Sequence, residues 1–172
     1  RVQALLDMAV INDFSEDYHD PNSDCYTEEI ALGWRLPTQQ SVSETTLAEF
    51  TNNITGYKDQ GYVPAAQYKS ANTDVLTRII LTVSPKTLQQ HIEDIADAVG
   101  YEGAFHVSLS PEGLPALSGG GCLSARDLAR FGLIFARSGQ NIHGEPFANY
   151  TFLSESILRE APRLSEPKDW LK

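Results

Sequence analysis

The chain has 172 residues, of which 41% are hydrophobic and 21% are charged, with a formal net charge of −10. This composition is typical of a globular domain that is long enough to bury a core. The negative charge and the lack of a basic stripe argue against nucleic acid as a partner, and no apolar run is long enough to predict a membrane span.

The first third of the chain predicts three short helices and one loop. Apolar residues recur with helical periodicity in 2–8 and in 46–54. Residues 28–35 predict a further short helix that ends before Pro37. Between these segments, residues 11–24 are polar, acidic and broken by a proline. They predict a surface loop, the kind of segment in which binding residues concentrate.

Two amphipathic helices are predicted in the middle of the chain. The apolar residues of 75–83 recur at three- and four-residue intervals, with Ser70 as the predicted N-cap and Pro85 as the end. Residues 88–99 show the same pattern. Residues 104–109 predict a strand, which Gly and Pro follow at once.

The last third begins with a glycine-rich turn at 119–121. Ser124 and Asp127 form a Ser-x-x-Asp variant of the capping box, which predicts a helix that ends near 138–139. A last helix is predicted at 153–161. The chain is therefore predicted to be one mainly helical segment, 1–172, with little sheet.

The candidate chemistry lies where the helix after Ser70 begins. Tyr68 stands just ahead of this N-terminus, where the helix dipole favours an anion. A tyrosine needs such help to act as a base, because the pKa of a free tyrosine is about 10. Lys69 is expected to point elsewhere and is given no role. In a purely structural interpretation, Tyr68 anchors the entry of the helix and Ser70 only caps it.

The pair Tyr68-x-Ser70 ahead of a long helix resembles the second motif of class C β-lactamases, related esterases and penicillin-binding proteins. That motif is Tyr-x-Asn or Tyr-x-Ser. The resemblance places Tyr68 on the catalytic tyrosine of the family and Ser70 on the Asn/Ser position. Asn72 is an alternative for the asparagine but lies two residues too late.

The resemblance is closer still to the 6-aminohexanoate-dimer (nylon-oligomer) hydrolase branch. It is carried, in the order of that family, by residues 5–8, 16–21, 33–35, 70–76 and 124–130. It implies a mainly α fragment of an α/β (α+β) β-lactamase/transpeptidase-like fold. It also implies a small-molecule amide or ester substrate, a serine acyl-enzyme, no metal and no cofactor.

The same resemblance implies a substrate pocket. Tyr18 matches a tyrosine on a mobile loop that covers the substrate, and Trp34 matches a tryptophan of the pocket. Glu29 falls on an acid that binds the amino end of the substrate. Without the resemblance, Tyr18 and Trp34 would be loop and core aromatics, and Glu29 would be a surface acid.

Two motifs of the superfamily are missing from the chain. Its nucleophile and lysine come from a Ser-x-x-Lys motif upstream, and a Lys-Thr-Gly-type motif follows downstream. The only Ser-x-x-Lys here, at 165–168, contains a proline where a helix should run and is interpreted as coincidence. The glycines at 119–121 are interpreted as a structural turn. We therefore expect a middle segment of a longer hydrolase that is inactive by itself.

Several alternatives remain open at this stage. For the longer protein, two alternatives are a carboxylesterase or β-lactamase of the same fold and a non-catalytic penicillin-recognising-type binding module. A third alternative is an interaction module that uses the acidic first thirty residues. Residues 20–24 have the Asp-x-Asn-x-Asp spacing of a calcium loop, but Cys25 and Ala31 stand where an EF-hand needs Gly and Glu. Cys25 and Cys122 form a disulfide or remain two free thiols. The sequence specifies neither compartment nor oligomeric state.

Overall fold

The computed structural model describes residues 2–10, 12–37, 46–56 and 67–151. Within these ranges the chain is mostly helical. Its elements are, in order, α1 (Val2–Leu6), α2 (Asp24–Ala31), α3 (Leu47–Asn53), α4 (Ser70–Val83), α5 (Leu88–Val99), β1 (His106–Val107), β2 (Gly121–Cys122) and α6 (Ala125–Ala136). The two short strands pair with each other in a two-stranded sheet. The predicted helix at 153–161 lies outside the described residues.

The chain divides into two compact units. The first comprises Arg1–Leu88 and Val107–Gly121, and the second comprises Gln89–His106 and Cys122–Lys172. None of the described helices is both long enough and apolar enough to cross a membrane.

The first unit is built around helices α1 to α4. Helix α4 packs against α1 and α3, and α3 packs against α2. The hydrophobic core of this unit contains Phe14, Cys25, Ala31, Leu32, Leu47, Phe50, Ala71 and Ala116. Phe14 and Phe50 meet edge to face, with ring centroids 5.8 Å apart, which is a favourable arrangement for two aromatic rings. The loop before α2 is thus fastened to α3 by a core contact.

Helix α2 begins and ends about four residues earlier than the predicted helix at 28–35. Asp24 lies in its first turn, where the dipole favours an acid. It ends because Gly33 adopts φ +78°, a left-handed conformation that glycine accepts without steric cost. The proline that was expected to stop the helix lies beyond that point.

Helix α3 agrees with its prediction and shows a complete capping box. The Thr46 side chain accepts a hydrogen bond from Glu49 N, and the Glu49 side chain accepts one from Thr46 N. Glu112 adds a carboxylate that accepts from Leu47 N at 2.7 Å. The N-terminal amides of this helix are therefore satisfied both locally and by a distant acid.

The predicted strand at 104–109 is shortened to the two residues of β1. The chain turns back at Ser110, whose amide donates to the Leu114 carbonyl oxygen at 2.8 Å. Leu109 then forms only an isolated bridge with Pro115. The tight turn converts the rest of the predicted strand into a loop that returns to β2.

The second unit contains α5 and α6, and the sequence predicted both of them. Helix α5 has the predicted bounds. Ser124 caps α6 by accepting from Asp127 N, as the Ser-x-x-Asp pattern predicts. The Asp127 carboxylate also accepts from the amides of Glu102 and Gly103, at 3.0 and 3.1 Å, and from Arg130 Nη1 at 2.9 Å. These three hydrogen bonds, and a fourth that the Ser124 hydroxyl donates to the carboxylate at 2.9 Å, hold the pKa of Asp127 low, at about 2.

Candidate active site

The site lies in the first unit, where α4 begins. Tyr68 precedes this 14-residue helix by two positions and is 53% exposed. Its neighbour Lys69 turns away, as predicted, and donates from Nζ to the Asn12 carbonyl oxygen and Oδ1 at 2.8 and 2.6 Å. Burial lowers the pKa of this ammonium group. The backbone thus presents Tyr68 to the outside and directs Lys69 inward.

Ser70 is not the N-cap that the sequence predicts. Lys69 occupies the N-cap position, and its side chain makes no cap hydrogen bond. Ser70 is the first helical residue, and its amide donates instead to Glu16 Oε2 at 2.7 Å. The capping group is therefore the Glu16 carboxylate, which comes from another part of the chain. The Ser70 hydroxyl is not used as a cap and makes other contacts.

The Tyr68 and Ser70 hydroxyls face each other, with their oxygens 3.4 Å apart. Ser70 Oγ also lies 2.6 Å from Glu16 Oε1, and the same carboxylate accepts from the Tyr18 hydroxyl at 2.6 Å. The structure therefore brings three of the predicted site residues together around Glu16. No feature of the sequence singled out Glu16 as the common partner of Ser70 and Tyr18.

Tyr18 stands on the predicted loop and is 57% exposed, although its hydroxyl is turned to Glu16. Desolvation and the hydrogen bond to the Glu16 carboxylate raise the pKa of the Tyr18 phenol. The Tyr26 hydroxyl donates to the Tyr18 carbonyl oxygen at 2.9 Å. Helix α2 therefore supports the loop at the position of this tyrosine.

Asn72, the alternative asparagine, is buried. Its Oδ1 accepts from Asn12 Nδ2 at 3.2 Å, and its Nδ2 lies 3.3 Å from Met8 Sδ. These contacts join α4 to the segment after α1. Asn72 therefore has a packing role in this structure, as the register of the motif suggests.

Glu29 and Trp34 make contacts of their own, apart from the Glu16 cluster. Glu29 Oε2 is paired with Arg35 Nε at 2.7 Å, and the Arg35 guanidinium lies 4.2 Å from the centroid of the Tyr26 ring. Trp34 Nε1 donates to Ser108 Oγ at 2.9 Å. A Cβ atom at Gly119 would lie 3.1 Å from the Trp34 ring. The predicted glycine turn thus makes room for this tryptophan.

A buried pair of carboxyl groups lies in the same unit. Glu28 on α2 and Asp74 on α4 are only 4% and 1% exposed. Within the described part of the chain, the carboxyl groups of Glu28 and Asp74 lie against each other, with Ser118 beside Asp74. Burial and the proximity of Asp74 raise the pKa of Glu28 to about 10, and burial also raises the pKa of Asp74. The pair therefore keeps at least one proton at neutral pH.

The acids of the proposed calcium loop are engaged in local hydrogen bonds. Asp20 Oδ1 accepts from Asn22 N at 2.9 Å, and Asp24 Oδ2 accepts from Ser15 N at 2.7 Å. Over the residues that the structure describes, no group of three or more His, Cys, Asp or Glu side chains is arranged to hold a metal ion. Cys25 is buried, Cys122 is exposed, and both are free thiols. Asp20 and Asp24 are therefore local hydrogen-bond acceptors in the turn before α2 and at its first residue.

The chain is similar to a known hydrolase. Over 142 residues it is 32% identical to a 6-aminohexanoate-dimer hydrolase of Paenarthrobacter ureafaciens. The aligned residues make up 80% of this chain and 34% of that protein. The chain thus spans about a third of the length of this relative. No protein-family profile matches the chain. The predicted resemblance to this hydrolase branch is confirmed at the level of sequence similarity.

A solved structure supports the fold. A Bacillus anthracis protein, assigned by its name to the 6-aminohexanoate-dimer hydrolases, superposes with a TM-score of 0.74. The superposition covers 89% of this chain and 40% of that protein, at 20% sequence identity. The chain therefore shares the fold of the corresponding part of that protein. Membership of the wider β-lactamase and penicillin-binding superfamily stays a prediction.

Proposed function

We propose that the chain is part of a serine hydrolase of amides and esters that works through an acyl-enzyme and resembles 6-aminohexanoate-dimer hydrolases. One observation carries the proposal. The Tyr68 and Ser70 hydroxyls lie 3.4 Å apart at the start of a 14-residue helix, in a chain 32% identical to a protein of that name. The predicted motif residues thus meet in space and stand at a helix N-terminus.

In the proposed reaction a serine Oγ attacks the carbonyl carbon of the amide or ester. The C–N or C–O bond breaks, and the proton of the serine passes to the departing amine or alcohol. Water then attacks the acyl-serine, and its proton restores the serine as the carboxylic acid leaves. Tyr68 is assigned the transfer of these protons, together with a lysine next to the nucleophile, and Ser70 is its hydrogen-bonding neighbour.

The nucleophile is proposed to lie outside residues 1–172, in a Ser-x-x-Lys motif upstream. The chain itself would then supply the helical part of a β-lactamase-like domain, 1–172, and would be inactive alone. The Ser-x-x-Lys at 165–168 lies outside the described residues, and its proline makes it a poor helical motif. A covalent label can locate the true nucleophile directly.

Substrate contacts are assigned to Tyr18, Glu29 and Trp34. Tyr18 and Trp34 are 57% and 43% exposed, so both present aromatic surface to a ligand. Glu29 must exchange its Arg35 partner for the amino end of a substrate. This pair is partly exposed, with 46% of the Arg35 side chain and 28% of the Glu29 side chain accessible. Such pairs contribute little to stability, about 0–1 kcal/mol, so the exchange is not costly.

The same ion pair supports a second candidate, a carboxylesterase or β-lactamase of this fold without preference for aminohexanoate oligomers. Arg35 neutralises the acid that would otherwise select an ammonium group. Uncharged esters would then be hydrolysed as well as amino-terminated amides. The ratio of kcat/KM for the 6-aminohexanoate dimer to that for p-nitrophenyl acetate separates the two candidates.

The proposal is tested by labelling the protein, expressed at full gene length, with a serine-directed fluorophosphonate and mapping the labelled peptide. A label on a serine upstream of Arg1, slowed at least about a hundredfold by Tyr68→Phe, is the expected result. Tyr150→Phe is the matched control, because Tyr150 is 51% exposed and lies in the other unit. An unlabelled protein, or equal labelling of wild type and Tyr68→Phe, would favour a non-catalytic binding module.

A further inference from the structure

Glu16 holds the first residue of α4 at two atoms. Its Oε2 accepts from the Ser70 amide at 2.7 Å, and its Oε1 accepts from the Ser70 hydroxyl at 2.6 Å. The two residues are 54 positions apart in the sequence. A carboxylate that faces a helix N-terminus and accepts from an amide there makes short, charge-assisted hydrogen bonds. Ser70 is therefore fixed in one orientation by a single side chain from the loop.

This arrangement decides the direction of the hydrogen bonds around Ser70. A serine hydroxyl has one proton, whereas an ionised carboxylate can only accept. The short contact at 2.6 Å directs the Ser70 proton to Glu16. The lone pairs of Ser70 Oγ then remain for the Tyr68 hydroxyl, which lies 3.4 Å away. Glu16 thereby makes Ser70 an acceptor for the proton of Tyr68.

The same carboxylate also binds the loop tyrosine. The Tyr18 hydroxyl donates to Glu16 Oε1 at 2.6 Å, so this oxygen accepts from both Tyr18 and Ser70. The Tyr26 hydroxyl holds the Tyr18 backbone from the other side at 2.9 Å. The position of the loop and the orientation of the Tyr68–Ser70 pair are therefore coupled through one group.

We propose that Glu16 is a positioning residue for the hydrolase, which aligns Ser70 and Tyr68 and fastens the Tyr18 loop beside them. The inference rests on the proposed function, because it assigns Tyr68 the proton transfer. A merely structural Glu16 would anchor the loop to α4, and its loss would lower stability alone. A positioning Glu16 lowers kcat, while substrate binding is retained because the Tyr26 hydroxyl still holds the Tyr18 backbone.

The test compares Glu16→Gln with Asp17→Asn in the protein expressed at full gene length. Both substitutions remove one negative charge from the same loop, but among the described residues Asp17 Oδ1 accepts only a local hydrogen bond, from His19 N at 2.9 Å. With p-nitrophenyl acetate, Glu16→Gln is expected to lower kcat by about ten- to a hundredfold, with KM changed by less than about twofold. Asp17→Asn is expected to leave both constants unchanged.

A double variant shows whether Glu16 acts through Ser70. If it does, Glu16→Gln combined with Ser70→Ala has the kcat of Ser70→Ala alone. If kcat of the double variant falls further, by the same factor as in Glu16→Gln alone, Glu16 does not act through Ser70.

If Glu16→Gln does not fold, Glu16→Asp replaces it. Its carboxylate is one methylene shorter and cannot reach both Ser70 atoms, so a tenfold lower kcat at an unchanged melting temperature is expected, whereas wild-type kcat overturns the proposal.

Tyr68→Phe is measured in parallel so that the two proposals fail separately. Wild-type kcat in Tyr68→Phe refutes the proposed function. A slow Tyr68→Phe beside a wild-type Glu16→Gln refutes only the role of Glu16. A fall in melting temperature of Glu16→Gln with an unchanged kcat shows that Glu16 is a structural anchor.

Discussion

Replacing Glu28 by glutamine tests the buried carboxyl pair. Glu28 and Asp74 are almost fully buried, and their carboxyl groups lie against each other. Two buried carboxylates repel each other, so the folded protein holds a proton that the unfolded chain releases at neutral pH. A glutamine has the shape of the protonated acid and provides an amide donor for Asp74 at every pH.

The sign of the pH dependence of stability follows from the direction in which the pKa of Glu28 is shifted. Burial, with Asp74 beside it, raises the pKa of Glu28 from 4.5 to about 10 in the folded protein. Between these values the folded state binds one more proton than the unfolded state, so stability falls as pH rises. The slope is about 1.4 kcal/mol per pH unit for one proton, so the free energy of unfolding falls by up to about 2.7 kcal/mol from pH 6 to pH 8.

The measurement is urea denaturation of wild type and Glu28→Gln at pH 6, 7 and 8, followed by tryptophan fluorescence. The variant should lose most of the pH dependence and be the more stable protein at pH 8. Glu29→Gln is the matched control, because its carboxylate is paired with Arg35 at the surface. If wild type and Glu28→Gln show the same slope, the pair is not protonated and the reasoning is wrong.

Two further predictions concern a pair of glycines with positive φ and the cap of α3. Gly139→Ala should cost at least about 2 kcal/mol and Gly144→Ala about 1 kcal/mol. Both glycines have φ near +80°, but a Cβ at Gly139 would clash with the Ala148 carbonyl oxygen, whereas the space at Gly144 is open. Equal urea midpoints for the two variants would contradict this difference. Thr46→Ala removes the hydroxyl that caps α3 and should cost about 1 kcal/mol in the same assay, and no loss would show that Glu112 alone satisfies this N-terminus.

Several elements were predictable from short stretches of sequence. Helix α5 was predicted with the bounds that the structure shows, and Ser124 and Asp127 begin α6 as their spacing indicates. The prediction of the helix at 28–35 was wrong by about four residues, because the positive φ of Gly33 ends α2 before the proline is reached. Ser70 was predicted as a local cap, but a distant carboxylate occupies that role.

The Tyr68–Ser70 motif was recognised by its resemblance to a known family. The side chains that contact the site residues could be identified only from the fold. Spacing alone could show that Tyr68 and Ser70 stand close together at a helix start. It could not show that Glu16 joins Ser70 to Tyr18, or that Arg35 takes the carboxylate of Glu29. In the sequence, Glu16 is one acid among eight in the first thirty residues.

The sequence by itself determined the largely helical character of the chain, the capped start of α6 and the position of the Tyr68–Ser70 motif. These features depend on residues within about four positions of each other, since helical periodicity and capping are local. The tertiary structure decided which acids are buried and which are paired. Glu28 meets Asp74, and Glu16 meets Ser70, only because α2, α4 and the loop before α2 pack together. Burial and long-range hydrogen bonds depend on that packing, which no short stretch of sequence specifies.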